Sequence, residues 1–594
     1  MTDIIIVCSI IGYKGSSYAA PLLVESLKKM EYRGYDSVGI ATLDNGNILV
    51  KKGVGKVAQV SKSLDFQKMP GQIGIGHTRW ATHGGITDTN AHPHKACTSE
   101  IAVVHNGIIE NYKELKKELV ASGHTFKSET DSEVIAHLLE ESLSQNRDKV
   151  QAVVKVCNRL EGAYSFVAIF GDGTICGSRY DEPLIIGLPN DGYFISSDVL
   201  GFLQYTDRAI FLDNKDIAFI TKDSLQLYDS SGTAVSRGVT QVAWELGAAD
   251  KGTYAHHTLK EIHEQSKSVL QGMAQEETDV TRFCDILLKA ESIYIIGSGT
   301  SYHSALLAKH IFAKVAKIRT EPVLSSEFQY VLDFIDKNSV ILAISQSGET
   351  ADVLNSVKQA KEVGAKILSI VNVRTSSLAR ISESFLTINC GPEVGVAATK
   401  SFTGQLSVIY TVIEKLCSGS IGIVGKKGDL KSAIASVLAM EEQTIRIAEL
   451  LKDLRDVYIL GKSSHYPIAL EGALKIKELT YIHAEGIAAG ELKHGPLALI
   501  DSNSIVIVIN PNDISSKDVL SNVHEIKSRG ATIIGISNES DDVYDHFIKL
   551  PTLDSIMYPI IEIIPLQLLA YHLALKKNAD PDYPRNLAKS VTVK

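Results

Sequence analysis

Ser292-Ile-Tyr-Ile-Ile-Gly297 is answered about 165 positions downstream by Asp456-Val-Tyr-Ile-Leu-Gly461. Ser339-Val-Ile-Leu-Ala-Ile344 is answered by Ser504-Ile-Val-Ile-Val-Ile509, and Ala365-Lys-Ile-Leu-Ser-Ile370 by Ala531-Thr-Ile-Ile-Gly-Ile536. Each is a short apolar run followed by a polar or glycine-bearing turn, the pattern of a strand buried on both faces. Helical patterns lie between them, so the unit is strand, turn, helix, which builds a parallel sheet. One such match arises easily by chance. Three, in the same order and at nearly constant offset, indicate a duplicated pair of doubly wound α/β domains, which we place at 280–420 and 445–584 with a short tail at 585–594.

Upstream the texture changes. Short apolar runs at Gln72–Gly76, Ile101–Val104, Ser165–Phe170 and Ala209–Leu212 end in turns, and helix patterns at Tyr18–Met30 and Asp131–Ser144 interleave with them. An α+β domain with layered sheets is expected at 8–235, joined to the repeats by a polar, helical stretch around Ala248–Met273.

At 594 residues the chain is too long for one core. A net charge of −9 without a long Lys or Arg run argues against a nucleic-acid surface or an anionic-membrane anchor. The seven cysteines are scattered, and no pair has the close spacing of a zinc site or redox dithiol, so no metal is expected and the thiols are read as reduced. No uninterrupted apolar stretch approaches the ~18–20 residues of a membrane helix. The start, Met1 to Val7, lacks the basic region and cleavage site of a secretion signal. These readings place the protein in the cytoplasm.

Two turns of the first repeat have the chemistry of an anion site. Gly297-Ser-Gly-Thr-Ser301 runs from a strand into a helix, and Ser345-Gln-Ser-Gly-Glu-Thr350 follows the next repeat strand. Alone, the first is an ordinary helix cap; together, at the carboxyl ends of parallel strands, they can face one crevice with hydroxyl, amide and backbone donors. The second repeat has Gly461-Lys-Ser-Ser464 and Asn510-Pro-Asn-Asp513 instead, so a phosphate site is expected in the first repeat only. In Pro467–Glu478, Glu471, Lys475 and Glu478 fall on one helical face. The commoner use of that spacing is a solvated salt-bridge stripe. His494 follows in Gly490-Glu-Leu-Lys-His-Gly-Pro496, and a carboxylate, a lysine and a histidine near a phosphosugar would suit proton transfer between adjacent carbons.

Ser345–Thr350, Glu393-Val-Gly-Val-Ala-Ala-Thr-Lys400, Ala469–Glu478, Gly490–Pro496 and the tail Pro584-Arg-Asn-Leu-Ala-Lys-Ser-Val-Thr-Val593 resemble the isomerase half of the glucosamine-6-phosphate synthases. The resemblance implies two sugar-isomerase (SIS) domains. It assigns sugar-phosphate binding to Thr300, Ser301, Ser345, Gln346, Ser347, Thr350, Val396 and Lys475. Glu478 would shuttle the proton between C1 and C2, His494 would open the ring, and Lys589 would form a Schiff base with the keto sugar. Ser298 stands where the family often has cysteine, and Ala398 where it often has serine.

At the amino end, Cys8-Ser-Ile-Ile-Gly-Tyr, Tyr32-Arg-Gly-Tyr-Asp-Ser37, His77-Thr-Arg-Trp-Ala-Thr-His-Gly84, His105-Asn-Gly-Ile-Ile-Glu-Asn111 and Thr130-Asp-Ser132 are each a polar turn. In this order they resemble the class II glutamine amidotransferases, whose fold is of the N-terminal-nucleophile kind. The resemblance makes Cys8 the nucleophile and its own α-amine the base. Asn106 and the Gly107 N–H would form the oxyanion hole. Arg79 would bind the glutamine carboxylate and Asp131 its α-amine, Thr82 and His83 would line the pocket, and Trp80 would gate ammonia. Ser9 stands where the family usually has glycine. Because Met1 to Val7 precede Cys8, a free amine requires either their removal or a start at Val7.

The whole reading is an enzyme that uses L-glutamine and D-fructose 6-phosphate, as a homodimer and without a cofactor. An ammonium-dependent or deaminating isomerase with a blocked Cys8, a phosphosugar-binding regulator and a relative acting on another phosphosugar remain alternatives.

Overall fold

The computed structural model describes residues 8–81, 83–221, 224–242, 250–419, 422–587 and 589. The described chain divides into two compact units, one within 1–248 and one spanning 249–589.

The first unit is built on two sheets of eight and seven strands. Strand Ser9–Lys14 runs antiparallel between Ile73–Arg79 and Tyr193–Ser196 in the first sheet. Strand Ile101–Gly107 pairs antiparallel with Tyr164–Phe170 in the second. Ile10, Ile75, Ala102, Val104, Val167, Ile169 and Ile195 fill the space between the sheets. The helix Ala19–Met30 buries Leu23, Val24 and Leu27 against the outer face of the first sheet. Helices Tyr112–Ala121, Glu133–Gln145 and Lys149–Cys157 cover the second through Leu115, Val134, Leu138 and Val153. The strands alternate apolar residues toward both layers, which is why the unit reads as short, largely apolar runs.

The second unit holds two five-stranded parallel sheets. In the first the order is Glu321–Leu324, Ser292–Gly297, Ser339–Ser345, Lys366–Val371, Ser384–Thr387. In the second it is His483–Ala488, Asp456–Gly461, Ile505–Ile509, Thr532–Ser537, His546–Lys549. The two orders are the same, as the repeat predicts. In both, the chain reverses direction across the sheet beside the first strand, leaving a crevice at the carboxyl ends of the two central strands. The repeats share one core: Ile295 and Leu368 of one sheet and Ile459 and Ile534 of the other belong to a continuous buried cluster with the helices Lys400–Leu416, Tyr466–Thr480 and Tyr558–Lys576.

One helical stretch, Ser555–Lys576, is long and apolar enough by composition to cross a membrane, although the sequence reading finds no such run. Its polar interruptions hid it from that count. Of its most apolar window, 89% is buried inside the protein. Glu562 and Gln567 on it are fully buried and engaged by His465 and Gln265, which suits the central helix of a packed core.

Candidate active sites

Cys8 directly precedes the strand Ser9–Lys14, and the neighbouring strand Ile73–Arg79 delivers Arg79 and Trp80 beside it. The Trp80 N–H donates to Cys8 Sγ at 3.2 Å, and the thiol faces the Trp80 carbonyl at 3.5 Å. Burial pushes the Cys8 thiol up to about 12, against the opposing pull of the Trp80 backbone and the Arg79 charge. A neutral thiol of this kind becomes a nucleophile only when a base takes its proton. Asn106 Nδ2 donates to the Cys8 carbonyl at 3.0 Å. Gly107 follows at φ +100°, and a Cβ there would lie 2.1 Å from the Ala163 carbonyl oxygen, so only glycine fits.

Arg79 is buried and donates to the carbonyls of His83, Gly84 and Gly85 at 2.5, 3.2 and 3.1 Å. Its guanidinium therefore frames the 83–85 loop. Asp131 precedes the helix Glu133–Gln145, and its Oδ2 accepts the Ile109 N–H at 2.8 Å. His83 meets Tyr112 edge-on at 5.5 Å between centroids, and Trp80 meets Tyr35 at 5.3 Å. Thr82 and Met1 to Val7 lie outside the described residues.

Three buried imidazoles from the same strands and loops, His77, His92 and His94, form a further cluster that the backbone of buried His105 joins. His77 stacks on His92 at 4.0 Å, His92 meets His94 at 4.5 Å, and His77 Nε2 contacts the His105 carbonyl oxygen at 3.0 Å. Burial drives His77 down to about 3 and His105 to about 4, so both are neutral rods at pH 7. The sequence motifs contain His77 and His105, but only the structure shows the cluster they make with His92 and His94.

In the first α/β sheet, both predicted turns flank the crevice. The helix Thr300–Ile311 starts three residues after Gly297, and Ser301 Oγ accepts from Gln405 Nε2 at 2.9 Å. After Ser339–Ser345, Ser345 Oγ accepts the Gly348 N–H at 3.1 Å and lies 3.1 Å from Thr350 Oγ1. Ser347 Oγ accepts the Glu349 N–H at 3.1 Å, and Gln346 accepts the Asn372 N–H through its backbone at 3.0 Å. Gly348, at φ +67°, has Ser376 Oγ 2.1 Å from where a Cβ would stand.

The second sheet fills the corresponding crevice with its own side chains. His465, just after Asp456–Gly461, lies 2.9 Å from Glu562 Oε1 through Nδ1 and 3.3 Å from Asp513 Oδ2 through Nε2. Those carboxylates raise His465 to about 9 despite its burial, which opposes the charge. Two carboxylates at this position repel a phosphate.

The Glu471, Lys475 and Glu478 face is not a solvated stripe. Glu471 and Lys475 are fully buried and cross to the first repeat. Thr300 Oγ1 donates to Glu471 Oε1 at 3.0 Å, His303 Nδ1 lies 2.7 Å from Glu471 Oε2, and Lys475 Nζ lies 3.3 Å from both Thr300 Oγ1 and Glu471 and 2.6 Å from Glu478. These carboxylates raise the Lys475 ammonium and keep it charged against the cost of burial. His494 ends a short 3₁₀ turn, Ala489–His494, and is exposed.

Lys589 is not a loose tail residue. Its Nζ donates to Glu393 Oε2 and to the Gly395 carbonyl, the latter at 2.8 Å. Glu393 also accepts from the Thr399 N–H at 3.0 Å, the Ser401 N–H at 2.9 Å and Ser401 Oγ at 2.7 Å. Burial opposes its charge, but Lys589 and these donors hold its carboxyl down to about 2. Glu261 lies behind, accepting from the Val394 and Gly395 N–H groups at 2.5 and 3.2 Å. Burial, aided by Glu393, pushes it up to about 8. Val396 is anchored by its N–H to the Asp582 carbonyl at 3.1 Å. The 393–400 motif marked Glu393 in the sequence without giving it a role, and nothing in the sequence marked Glu261.

The chain matches the family model of the SIS domain at 286–415 and 450–577 and that of the glutamine amidotransferase domain at 77–199. Fold and matches together define the class, a glutamine amidotransferase joined to a pair of SIS domains. A glutamine–fructose-6-phosphate aminotransferase (isomerizing) of Pyrococcus horikoshii is 46% identical over 99% of this chain and 100% of its own. The protein of that name from Methanothermobacter thermautotrophicus is 44% identical over 97% and 98%. A solved structure, the C-terminal domain of glucosamine-fructose-6-phosphate aminotransferase from Francisella tularensis, aligns at a TM-score of 0.52 and 34% identity, covering 56% of this chain and 99% of that one. The chain belongs to the glutamine–fructose-6-phosphate aminotransferase (isomerizing) family.

Proposed function

We propose that this chain converts D-fructose 6-phosphate and L-glutamine to D-glucosamine 6-phosphate and L-glutamate, with its steps divided between the two units as follows. Cys8 attacks the glutamine amide, Asn106 Nδ2 and the Gly107 N–H stabilise the oxyanion, and ammonia leaves. Arg79, Trp80, Thr82, His83 and Asp131 hold the glutamine. The base is the α-amine of Cys8, which is free only in a chain that begins there.

Fructose 6-phosphate binds by its phosphate to the turns carrying Thr300, Ser301, Ser345, Gln346, Ser347 and Thr350, with Val396 and Lys475 along the sugar. His494 opens the ring. The amine of Lys589 attacks the C2 carbonyl and releases water, ammonia displaces the lysine, and Glu478 carries the proton between C2 and C1. The observation that carries the assignment is the Lys589 amine held at the Glu393 carboxylate and the Gly395 carbonyl, in a chain of this family. The protein acts in the cytoplasm as a homodimer, in which a second copy covers the exposed His494, and it requires no organic cofactor.

Reduction with borohydride during incubation with fructose 6-phosphate tests the lysine. The expected result is a covalent hexitol phosphate adduct on the peptide containing Lys589, absent in Lys589→Arg. An adduct on another lysine, or none, rejects the assignment.

A further inference from the structure

Four side chains of types that ligate metals converge in the glutaminase unit away from Cys8. Cys97 lies in the turn between strands His94–Lys95 and Ile101–Gly107. His124 follows the helix Tyr112–Ala121, and His137 and Glu140 share one face of the helix Glu133–Gln145. Cys97 Sγ is 3.5 Å from His137 Nδ1 and 3.7 Å from His124 Nδ1. Glu140 Oε2 is 3.1 Å from His124 Nδ1 and 3.7 Å from His137 Nδ1, and all four atoms lie within 4.8 Å of one another. Tetrahedral coordination with bonds of about 2.0–2.3 Å sets ligand atoms roughly 3.3–3.8 Å apart, close to the spacings here.

The surroundings point the same way. Metal-bound imidazoles commonly turn their outer nitrogen to a carboxylate, which fixes the ring and its tautomer. His124 Nε2 lies 3.2 Å from Glu141 Oε2, and His137 Nε2 lies 3.5 Å from Glu133 Oε1. Glu133 is itself clamped by the Lys127 and Ser128 N–H groups at 2.8 and 2.6 Å. The Thr125 N–H points at Cys97 Sγ at 3.4 Å, and the Thr98 and Cys97 N–H groups reach Glu140 at 2.6 and 3.1 Å. Each donor is thus aimed by a neighbour.

We propose that Cys97, His124, His137 and Glu140 bind one divalent first-row metal ion of the zinc type. One thiolate, two imidazoles and a carboxylate are a borderline donor set suited to tetrahedral Zn²⁺. With four protein ligands the site is closed and structural. It ties two segments, the turn at Cys97 and the loop at His124, to the helix that begins just after Asp131, and so steadies the glutamine pocket without entering the chemistry. The donors are spread between 97 and 140, so no close-spaced pair marks them in the sequence, and this proposal departs from the expectation of no metal.

The test uses the full chain. Purified in zinc-supplemented medium and desalted, it should carry one zinc per chain by elemental analysis. Stripped with a chelator and titrated with Co²⁺, it should develop a thiolate-to-cobalt charge-transfer band and intense tetrahedral ligand-field bands that saturate at one equivalent and vanish on adding Zn²⁺. Cys97→Ser should lose the charge-transfer band, and Glu141→Gln, which touches only the outer nitrogen of His124, should weaken cobalt binding roughly 10-fold or more. Substoichiometric zinc with no cobalt bands in the unmodified chain overturns the proposal, whether or not the variants fold. So does a charge-transfer band that survives in Cys97→Ser.

Discussion

Replacing Glu393 by glutamine removes the carboxylate against which Lys589 is held, and the cost should depend on pH. In the folded protein Glu393 sits at about 2, against an ordinary 4.5. Holding the carboxyl that far below its ordinary value is worth about 3 kcal/mol. Because the folded value is the lower one, the stabilisation is fully present above about pH 4.5 and is lost as pH falls toward 2. Glu393 is buried, so solvent screening does not reduce the figure. A unit spanning 249–589 unfolds with an entropy of about 0.7 kcal/mol/K, so Glu393→Gln should lower its calorimetric transition by about 4 °C at pH 7. At pH 3 the same linkage leaves roughly 1 kcal/mol, or ~2 °C. Scanning calorimetry of both proteins at the two pH values reads the difference. An equal shift at pH 7 and pH 3 would refute the ion-pair reasoning, because losing shape or a neutral hydrogen bond does not titrate.

Three other substitutions separate the parts of the site. Asn106→Ala should cut glutamine hydrolysis by about 10²–10³-fold, as loss of one oxyanion donor does, while aminosugar formation from ammonium holds; a change in both would place Asn106 outside the glutaminase chemistry. Gly348→Ala puts a Cβ against Ser376 in a left-handed backbone, so it should destabilise the 345–350 turn by more than about 1 kcal/mol and raise KM for fructose 6-phosphate; an unchanged KM would dissociate this turn from the substrate. His465→Phe should abolish the loss of stability that sets in above the ordinary histidine value of 6.5 and is complete near pH 9, where the raised His465 deprotonates. A persistent alkaline loss in urea titrations would assign it to other groups.

The parallel sheets were legible because their central strands are buried on both faces and read as nearly pure apolar runs. Their outer strands, Glu321–Leu324, Ser384–Thr387 and His546–Lys549, are short and carry polar residues, so periodicity does not separate them from loops. The two hydroxyl-rich turns at 297–301 and 345–350 were legible because such a turn at a strand end is a local feature. Glu261 was not, because a glutamate on a connecting helix has no local signature and its role arises from packing against Val394 and Gly395. Spacing correctly placed Glu471 and Lys475 on one face, but only the fold shows that Thr300 and His303 meet that face and remove it from water. The Cys97 cluster was illegible for the same reason, its side chains being joined by tertiary contact.

The measurement that bears most directly on the whole account compares the chain as written with a form whose first residue is Cys8. Each is given fructose 6-phosphate with either glutamine or ammonium, and glucosamine 6-phosphate is quantified. The account predicts aminosugar from glutamine in the Cys8-first form, loss of the glutamine-dependent reaction where Cys8 is internal, and product from ammonium in both. No aminosugar from either donor in either form would contradict it and leave a protein that only binds a phosphosugar.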